Sequence, residues 1–345
     1  MAGSGGGRGR QARKPVIKDV AQHAGVAPSS VSRALSGHPS VSATLRAKVM
    51  ASAHAVGYTP DLLAQALRSQ RSKTVGFVVS DISNPLISEI VSGAEQRLRQ
   101  AEYSLLLTNS EGQAERDEAH IRLLERRRVD GLLLLLSSEE HPQTVAALEE
   151  RVEPVVLIDR QLEGEIEGGA VLSDHASGML AAVQHLFKIG HTRIGLMVGR
   201  NVRPAKERVR ALKQAYDEAG IPPRYALEVN IPLDADRARA ATRRLVEPPN
   251  ACTALIVGSN QLLPWALSAL RDLGLQFGQD LAVVTCDRTA VTDVIHPEIA
   301  AVHRDNRAVG YQAADLLLAL LNGEAPHQVL LPTEFSAGET CCPPH

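Results

Sequence analysis

Short apolar runs alternate with helical patterns from about residue 74 onward, and this alternation limits the possible folds more than any other feature of the chain. The runs are four to six residues long and cover 75–79, 103–108, 131–136, 155–158, 194–198, 254–257 and 281–284. Amphipathic stretches such as LISEIVSGAEQRL and VRALKQAYDEAG lie between most of them. Continuous apolar strands separated by helices are typical of parallel strands that are buried on both faces. We therefore predict doubly wound α/β sheets, with enough strands for two lobes.

The segment before this core predicts a small helical unit. VIKDVAQHAGVAPSSVSRAL contains two short helical patterns, one over 18–24 and one that starts at Pro28. Gly25 suits the left-handed conformation of a sharp turn, and Pro28 fits the first turn of a helix. A third helix over 43–56 follows Ser42, a residue suited to cap it. We expect a shared core of small aliphatic side chains: Val20, Ala21, Ala24, Val31, Ala34, Leu35, Leu45, Val49 and Ala53.

The second of these helices leaves polar side chains pointing outward. Ser29, Ser30, Ser32 and Arg33 form this face, which is what a helix-turn-helix presents to the major groove of DNA. A three-helix bundle without a role in DNA binding is the alternative. The charge distribution along the chain decides between these two interpretations.

Charge is divided unevenly along the chain. Residues 1–73 contain eleven Lys and Arg but only two acidic residues, Asp19 and Asp61, whereas the remainder contains 26 basic and 37 acidic residues. A disordered basic tail over 1–14 explains only part of this excess, because the other basic residues lie within patterned segments. A basic N-terminal segment that precedes an acidic core indicates that this segment binds a polyanionic partner.

The stretch GYTPDLLAQALRSQRSKT links this basic segment to the core. Its helical part, 62–68, has two turns at most, which is too short to be stable alone. Leu63 and Leu67 lie four residues apart beside Arg68 and Arg71. An apolar side chain flanked by cations suits insertion into a minor groove, and an ordinary linker helix is the alternative.

These segments together resemble the lactose/purine-repressor (LacI/GalR) family of bacterial transcription regulators. VIKDVAQHAGVAPSSVSRAL, GYTPDLLAQAL and VGFVVSDISNP match in order, and the similarity extends from about Val16 to Gly338. The resemblance implies that the second helix reads operator bases and that paired hinge helices insert Leu67 into the minor groove. The chain differs from the family at Ala27, where a capping Ser is usual. The expected DNA-binding residues are Pro28, Ser29, Ser30, Ser32, Arg33, Ala64, Leu67 and Arg68.

The resemblance also implies the domain organisation. We expect a tail over 1–14, a helix-turn-helix domain over 15–59, a hinge over 60–73, and a periplasmic-binding-protein-like core over 74–345. The N-lobe would comprise about 74–172 and 304–330, and the C-lobe about 173–303 and 331–345. Three crossings between the lobes are expected near Ser173, His303 and Leu331.

Polar residues that follow the predicted strands are candidates for a ligand site, because ligands of such sheets bind at the carboxyl ends of strands. Loop caps or surface ion pairs are the alternative for any single residue. The resemblance implies that Arg210 grips an effector with Asp287 as its acidic partner. The expected effector residues are Asp81, Arg160, Arg210, Ser259 and Asp287. Leu86 and Ile87 stand where some members of the family stack an aromatic ring on the ligand. Charged residues without such a ring favour a sugar or sugar derivative over a nucleobase.

The sequence therefore predicts a cytoplasmic transcription regulator, a repressor that binds a near-palindromic operator as a homodimer and responds to a small polar effector. No enzyme signature of the G-x-S-x-G or P-loop type occurs, so neither catalysis nor a cofactor or metal is expected. The vicinal Cys341 and Cys342 are interpreted as incidental rather than as a metal site. An extracytoplasmic solute-binding protein would share the core, but we expect neither a signal peptide nor a membrane partner here, and the basic N-terminal segment argues against it.

Overall fold

The structure, a computed structural model, describes residues 15–35, 38, 40–58, 71–164, 166–290 and 292–344. They belong to two compact units, one that ends at Ser72 and one that begins at Lys73. The predicted basic tail and the predicted hinge residues Ala64, Leu67 and Arg68 lie outside the described residues.

The described residues of the first unit form three helices, α1 (Ile17–Ala24), α2 (Pro28–Leu35) and α3 (Ala43–Ala55). Gly25 ends α1 with φ of 62°, the left-handed conformation that the predicted turn requires. The side chain of Ser42 accepts a hydrogen bond of 3.2 Å from the backbone N–H of Leu45, which confirms Ser42 as the cap of α3.

The core of this unit is aliphatic and small. Five alanines and valines of α1 and α2 are buried together with Val49 and Ala53 of α3, and Leu35 and Leu45 pack at the edge. The helix-turn-helix predicted from the spacing of these residues is confirmed. Side chains this short let the helices approach closely, so a stable unit needs few residues.

The second unit is an α/β core, and its described residues form twelve strands. The strands are β1 (Thr74–Val79), β2 (Ser104–Asn109), β3 (Gly131–Leu135), β4 (Val155–Ile158), β5 (Gly169–Ser173), β6 (Ile194–Met197), β7 (Tyr225–Glu228), β8 (Ala254–Val257), β9 (Ala282–Cys286), β10 (Ala300–His303), β11 (Gln328–Leu331) and β12 (Glu334–Ser336). The helices are α4 (Pro85–Gln100), α5 (Ala114–Arg126), α6 (Pro142–Glu149), α7 (His175–Lys188), α8 (Arg203–Ala219), α9 (Ala235–Val246), α10 (Leu263–Asp272) and α11 (Asn306–Leu321). All seven apolar runs form strands.

These strands form two six-stranded sheets, and each sheet is the centre of one lobe. The N-lobe sheet has the order β11-β5-β4-β3-β1-β2 and its pairs are all parallel. The C-lobe sheet has the order β12-β10-β9-β8-β6-β7, in which only β12 pairs antiparallel. The predicted doubly wound fold is confirmed.

The chain passes three times between the sheets. It leaves the N-lobe sheet after Ser173, returns after His303, and leaves again between Leu331 and Glu334. Helix α11 then packs against α4, and the two backbones approach closely at Gly93 and Gly310. A Cβ atom built on Gly310 would lie 1.8 Å from the carbonyl oxygen of Ile90, so only glycine fits there. Among the described residues, no helix has the length and apolar character needed to cross a membrane.

Candidate functional site

The outer face of α2 is the candidate nucleic-acid surface of the first unit. Val31 and Ala34 are buried, whereas Pro28, Ser29 and Arg33 are exposed. Ser30 and Ser32 are half-buried at the margin of this face. The helix therefore presents short hydroxyls and one guanidinium outward, a combination that can donate hydrogen bonds to base edges or phosphates.

A second candidate site lies in the cleft between the N-lobe and C-lobe sheets. Asp159 directly follows β4 of the N-lobe, and Asp287 directly follows β9 of the C-lobe. Both have left-handed backbone conformations, with φ of 48° and 73°. Residues held in such conformations cluster at functional sites. The two lobes thus place a carboxylate at equivalent strand ends.

The cleft encloses a cavity of about 130 Å³ that residues of both lobes line. A larger groove of about 850 Å³ lies beside α10, but among the described residues that line it Arg271 is the only Lys, Arg, Asp or Glu. The cleft, in contrast, collects four arginines and two aspartates: Arg160, Arg200, Arg208, Arg304, Asp159 and Asp287. Convergent charged groups identify a ligand site better than volume does, so we take the cleft as the candidate site.

The C-lobe wall is built around Arg208 of α8. Its Nη2 forms an ion pair of 3.2 Å with Asp287 Oδ2, and its Nη1 donates a bond of 2.7 Å to the Gly258 carbonyl. Its Nε is buried and has no hydrogen-bond partner among the residues that the structure describes. Ser259, one of the predicted residues, lines the same wall.

The structure corrects the predicted position of one anchor, Arg210. Its side chain is 73% exposed and lies 3.9 Å from Glu207, outside the cleft. Two residues along a helix correspond to a rotation of about 200°, so Arg208 and Arg210 point to opposite sides of α8. Arg208 therefore has the partnership with Asp287 that was predicted for Arg210.

The N-lobe wall contains a buried network around Asp159. Arg304 Nη1 donates to Asp159 and, at 2.6 Å, to Ser173 Oγ, and it lies 3.1 Å from His175 Nε2. Burial alone would raise the pKa of Asp159, but Arg304 and His175 outweigh it and hold this pKa well below its usual value. Burial lowers the pKa of His175 to about 4, so the imidazole is neutral near pH 7.

Arg160, which was predicted from its place after β4, lies at the base of the cleft. Its Nε and Nη1 donate bonds of 2.6 and 2.9 Å to the carbonyls of Leu136 and Asp159. Burial lowers the pKa of this guanidinium to about 10. Arg200 follows β6 of the C-lobe and lines the same cavity, and burial lowers its pKa as well.

Asp81 lies at the rim, where it joins the lobes. Its Oδ2 accepts a bond of 2.8 Å from Gln261 of the C-lobe. Asn260 Nδ2 donates in a similar way to Asn84 Oδ1 at 2.8 Å. Burial alone would raise the pKa of Asp81, but bonds from Ser83 and Gln261 outweigh it and lower the pKa.

A buried carboxylate, Glu139 of the N-lobe, joins the lobes at the other end of the cleft. Its Oε1 accepts bonds of 2.9 Å from the backbone N–H of Arg203 and 3.1 Å from that of Gln161, and its Oε2 lies 3.3 Å from Lys206 Nζ. Val202 cannot cap α8 with its own side chain. Glu139 therefore caps a C-lobe helix from the opposite lobe.

Five titratable residues that line the cleft were not among the predicted site residues: Asp159, His175, Arg200, Arg208 and Arg304. Asp159 and Arg304 directly follow a strand and Arg200 comes three residues after one, so the rule that identified Arg160 and Asp287 could have found them. His175 opens α7 and carries no comparable signal. In the part of the chain that the structure describes, no group of three or more His, Cys, Asp or Glu is arranged to hold a metal ion.

Family models match both units. The model described as bacterial regulatory proteins, lacI family, matches residues 16–61. The model described as a periplasmic binding protein-like domain matches residues 183–341.

Whole proteins are similar over nearly the full chain. The ribose operon repressor of Escherichia coli (strain K12) is 30% identical over 319 residues, which are 92% of this chain and 94% of that protein. Catabolite control protein A of Priestia megaterium is 29% identical over 89% of this chain and 93% of its own. A crystal structure of the lac repressor dimer bound to operator and the anti-inducer ONPF has 25% identity and a TM-score of 0.83, over 96% of this chain and all of that one.

Proposed function

The chain belongs to the lacI family of bacterial regulatory proteins, DNA-binding repressors with an effector-binding core, and we propose that a small polyhydroxylated effector in the cleft controls its affinity for an operator. The Arg208–Asp287 pair carries this proposal. It offers a planar set of donors beside an acceptor on one wall of the cleft, while Arg160 offers further donors from the other wall. A ligand that contacts both walls binds one lobe arrangement better than another.

The class of effector is proposed as a sugar or sugar derivative. Related proteins support this, because one similar chain is a ribose operon repressor and another similar structure is described as a transcriptional regulator–cellobiose complex. In the described structure no Phe, Tyr or Trp lines the cleft, so a stacked nucleobase has no platform.

The proposed operator contacts are those of the sequence analysis. Pro28, Ser29, Ser30, Ser32 and Arg33 would approach bases and phosphates in the major groove. Ala64, Leu67 and Arg68 would act in the minor groove. We propose that two copies bind a near-palindromic site as a homodimer. The similar lac repressor structure, which is described as a dimer, supports this. We also propose that the protein acts in the cytoplasm, where the chromosome is accessible.

A matched pair of variants tests the effector site. Arg208→Ala removes a charge-assisted donor from the cleft and should weaken effector binding by about 1.5–3 kcal/mol, roughly 10- to 150-fold. Arg210→Ala removes the same side chain from the exposed side of the same helix and should leave effector affinity unchanged. Titration calorimetry with an effector found in a thermal-shift screen measures both.

Operator binding without effector is the control for folding. It should be unchanged in both variants, and Arg208→Lys provides a milder change if loss of the partner of Asp287 destabilises the core. Equal effector affinity in wild type and Arg208→Ala would show that the cleft is not the effector site. An effector that binds but leaves operator affinity unchanged would refute the switch.

A further inference from the structure

The charges that line the cleft do not balance. Four guanidinium groups face two carboxylates, and His175 is neutral near pH 7, so the lining carries an excess of two positive charges. Unbalanced charge is costly where water is excluded, because the surroundings cannot screen it.

Two of the four arginines are already paired. Arg208 is paired with Asp287 at 3.2 Å, and Arg304 is paired with Asp159. Each pair lies within one wall of the cleft, so these contacts neutralise their own charges without joining the lobes.

Arg160 and Arg200 make up the excess. Neither has a carboxylate oxygen within 4.0 Å among the described residues. The two hydrogen bonds of Arg160 go to backbone carbonyls, which fix the guanidinium in place but give it no direct ion pair. Asp159, Glu139 and Asp117 attract its charge only from a longer distance. Arg200 reaches from the C-lobe to the N-lobe, where a Cβ atom on Gly112 would lie 2.0 Å from its Nη2.

Nearby carboxylates have other partners. Asp117 accepts a bond of 2.7 Å from the Ser137 backbone, Asp81 accepts from Gln261, and Glu139 is paired with Lys206. The positive charge of Arg200 also contributes to lowering the pKa of Arg160, so the two cations repel each other within the cleft. One cation comes from each lobe, so this repulsion opposes closure.

We propose that the effector carries an anionic group, a carboxylate or a phosphate, which binds between Arg160 of the N-lobe and Arg200 of the C-lobe. This inference rests on the proposed function, since it specifies the chemistry of the same ligand. Guanidinium groups match the planar oxygens of carboxylates and the oxygens of phosphates with paired hydrogen bonds. An anion between the lobes converts repulsion into attraction and so favours the closed arrangement. The effector class is therefore a sugar acid or a sugar phosphate.

Matched neutral and anionic probes test the inference. D-glucose, D-gluconate and D-glucose 6-phosphate form one series, D-ribose, D-ribonate and D-ribose 5-phosphate form another, and inorganic phosphate tests the anion alone. Thermal shift and titration calorimetry should show at least tenfold tighter binding of a carboxylate or phosphate probe than of its neutral counterpart, with an affinity that falls as salt rises. The two anionic arms distinguish carboxylate from phosphate.

Arg200→Gln is the decisive variant, and Arg210→Gln is its matched control. The Arg200 side chain forms no hydrogen bond or ion pair in the described part of the chain, so its replacement is not expected to disturb the fold. Arg200→Gln should weaken anion binding about 10- to 100-fold and neutral sugar binding less than threefold, whereas Arg210→Gln should change neither. Arg200→Lys, which keeps the charge, should recover part of the loss.

Three results would overturn the inference: neutral and anionic probes that bind equally well, an Arg200→Gln variant with wild-type anion affinity, or no stabilisation by any anionic probe. Operator titrations separate this from the proposed function. A neutral sugar that shifts operator affinity would support the proposed effector-controlled function and refute the proposal that the effector is anionic. An anion that binds through Arg200 without shifting operator affinity would support anion binding in the cleft and refute the control of operator affinity by the effector.

Discussion

Glu139 provides the most direct test of how closure is stabilised. It accepts from the first N–H of α8 at 2.9 Å and lies 3.3 Å from Lys206, although it belongs to the other lobe. Loss of a helix cap costs about 0.5–2 kcal/mol. The partly exposed ion pair to Lys206 adds about 0–1 kcal/mol. Glu139→Ala should therefore destabilise the closed arrangement by about 0.5–3 kcal/mol.

This cost should be measurable as effector affinity. If the effector binds the closed arrangement, titration calorimetry should show binding weakened by about 2- to 150-fold in Glu139→Ala. Glu139→Gln keeps an oxygen acceptor for the helix N–H but loses the charge, so its affinity should lie between wild type and Glu139→Ala.

The neighbouring Glu140 gives the matched control. It contacts the same lysine, with Lys206 Nζ 2.8 Å from Glu140 Oε1, but its side chain is 63% exposed. Glu140→Ala should therefore change effector affinity less than twofold. The reasoning is refuted if Glu139→Ala lowers thermal stability but not effector affinity, since the carboxylate would then stabilise only the helix and not closure.

Three further predictions concern the hinge, acid stability and assembly. Leu67→Ala should weaken operator binding and reduce the bend of the DNA in a gel-based bending assay, while the melting temperature stays unchanged. Folded His175, among Asp159, Arg208 and Arg304, has a pKa of about 4 against about 6.5 in the unfolded chain, so acid favours unfolding. Denaturant titrations should lose on the order of 3 kcal/mol between pH 6.5 and 4, and less in His175→Asn. Sedimentation with operator DNA present should show two copies per site, and a single copy would contradict the homodimer.

The sequence predicts the centre of each sheet better than its edges. β3 and β8 are buried throughout and appear as continuous apolar runs. β7 and β11 lie at sheet edges with half-buried or exposed side chains, so their residues YALE and QVLL carry no such pattern. Edge strands are defined by their neighbours in the sheet, and those neighbours are distant in sequence.

The site could be located from strand ends but not fully assigned. Arg160 and Asp287 come two and three residues after apolar runs, and both line the cleft. The error at Arg210 arose from matching the residue by motif. Helical spacing contained the correct signal, because Arg208 shares the buried stripe of α8 with Ala205, Leu212 and Ala215. An arginine within an apolar stripe is buried and needs a charged partner, whereas an arginine outside the stripe is solvated by water.

Helix α8 explains why contact with both walls matters. Its first N–H is held by Glu139 of the N-lobe, and one to two turns later Arg208 contacts Asp287 within the C-lobe. A ligand that contacted only Arg208 and Asp287 would have equal affinity for open and closed arrangements, and it would shift neither, however tightly it bound. A ligand that also reached Arg160 would gain affinity only when the lobes close, and closure is the state in which Glu139 caps α8. Ligand and cap would then favour the same arrangement through one rigid helix, so weakening the cap should weaken the ligand.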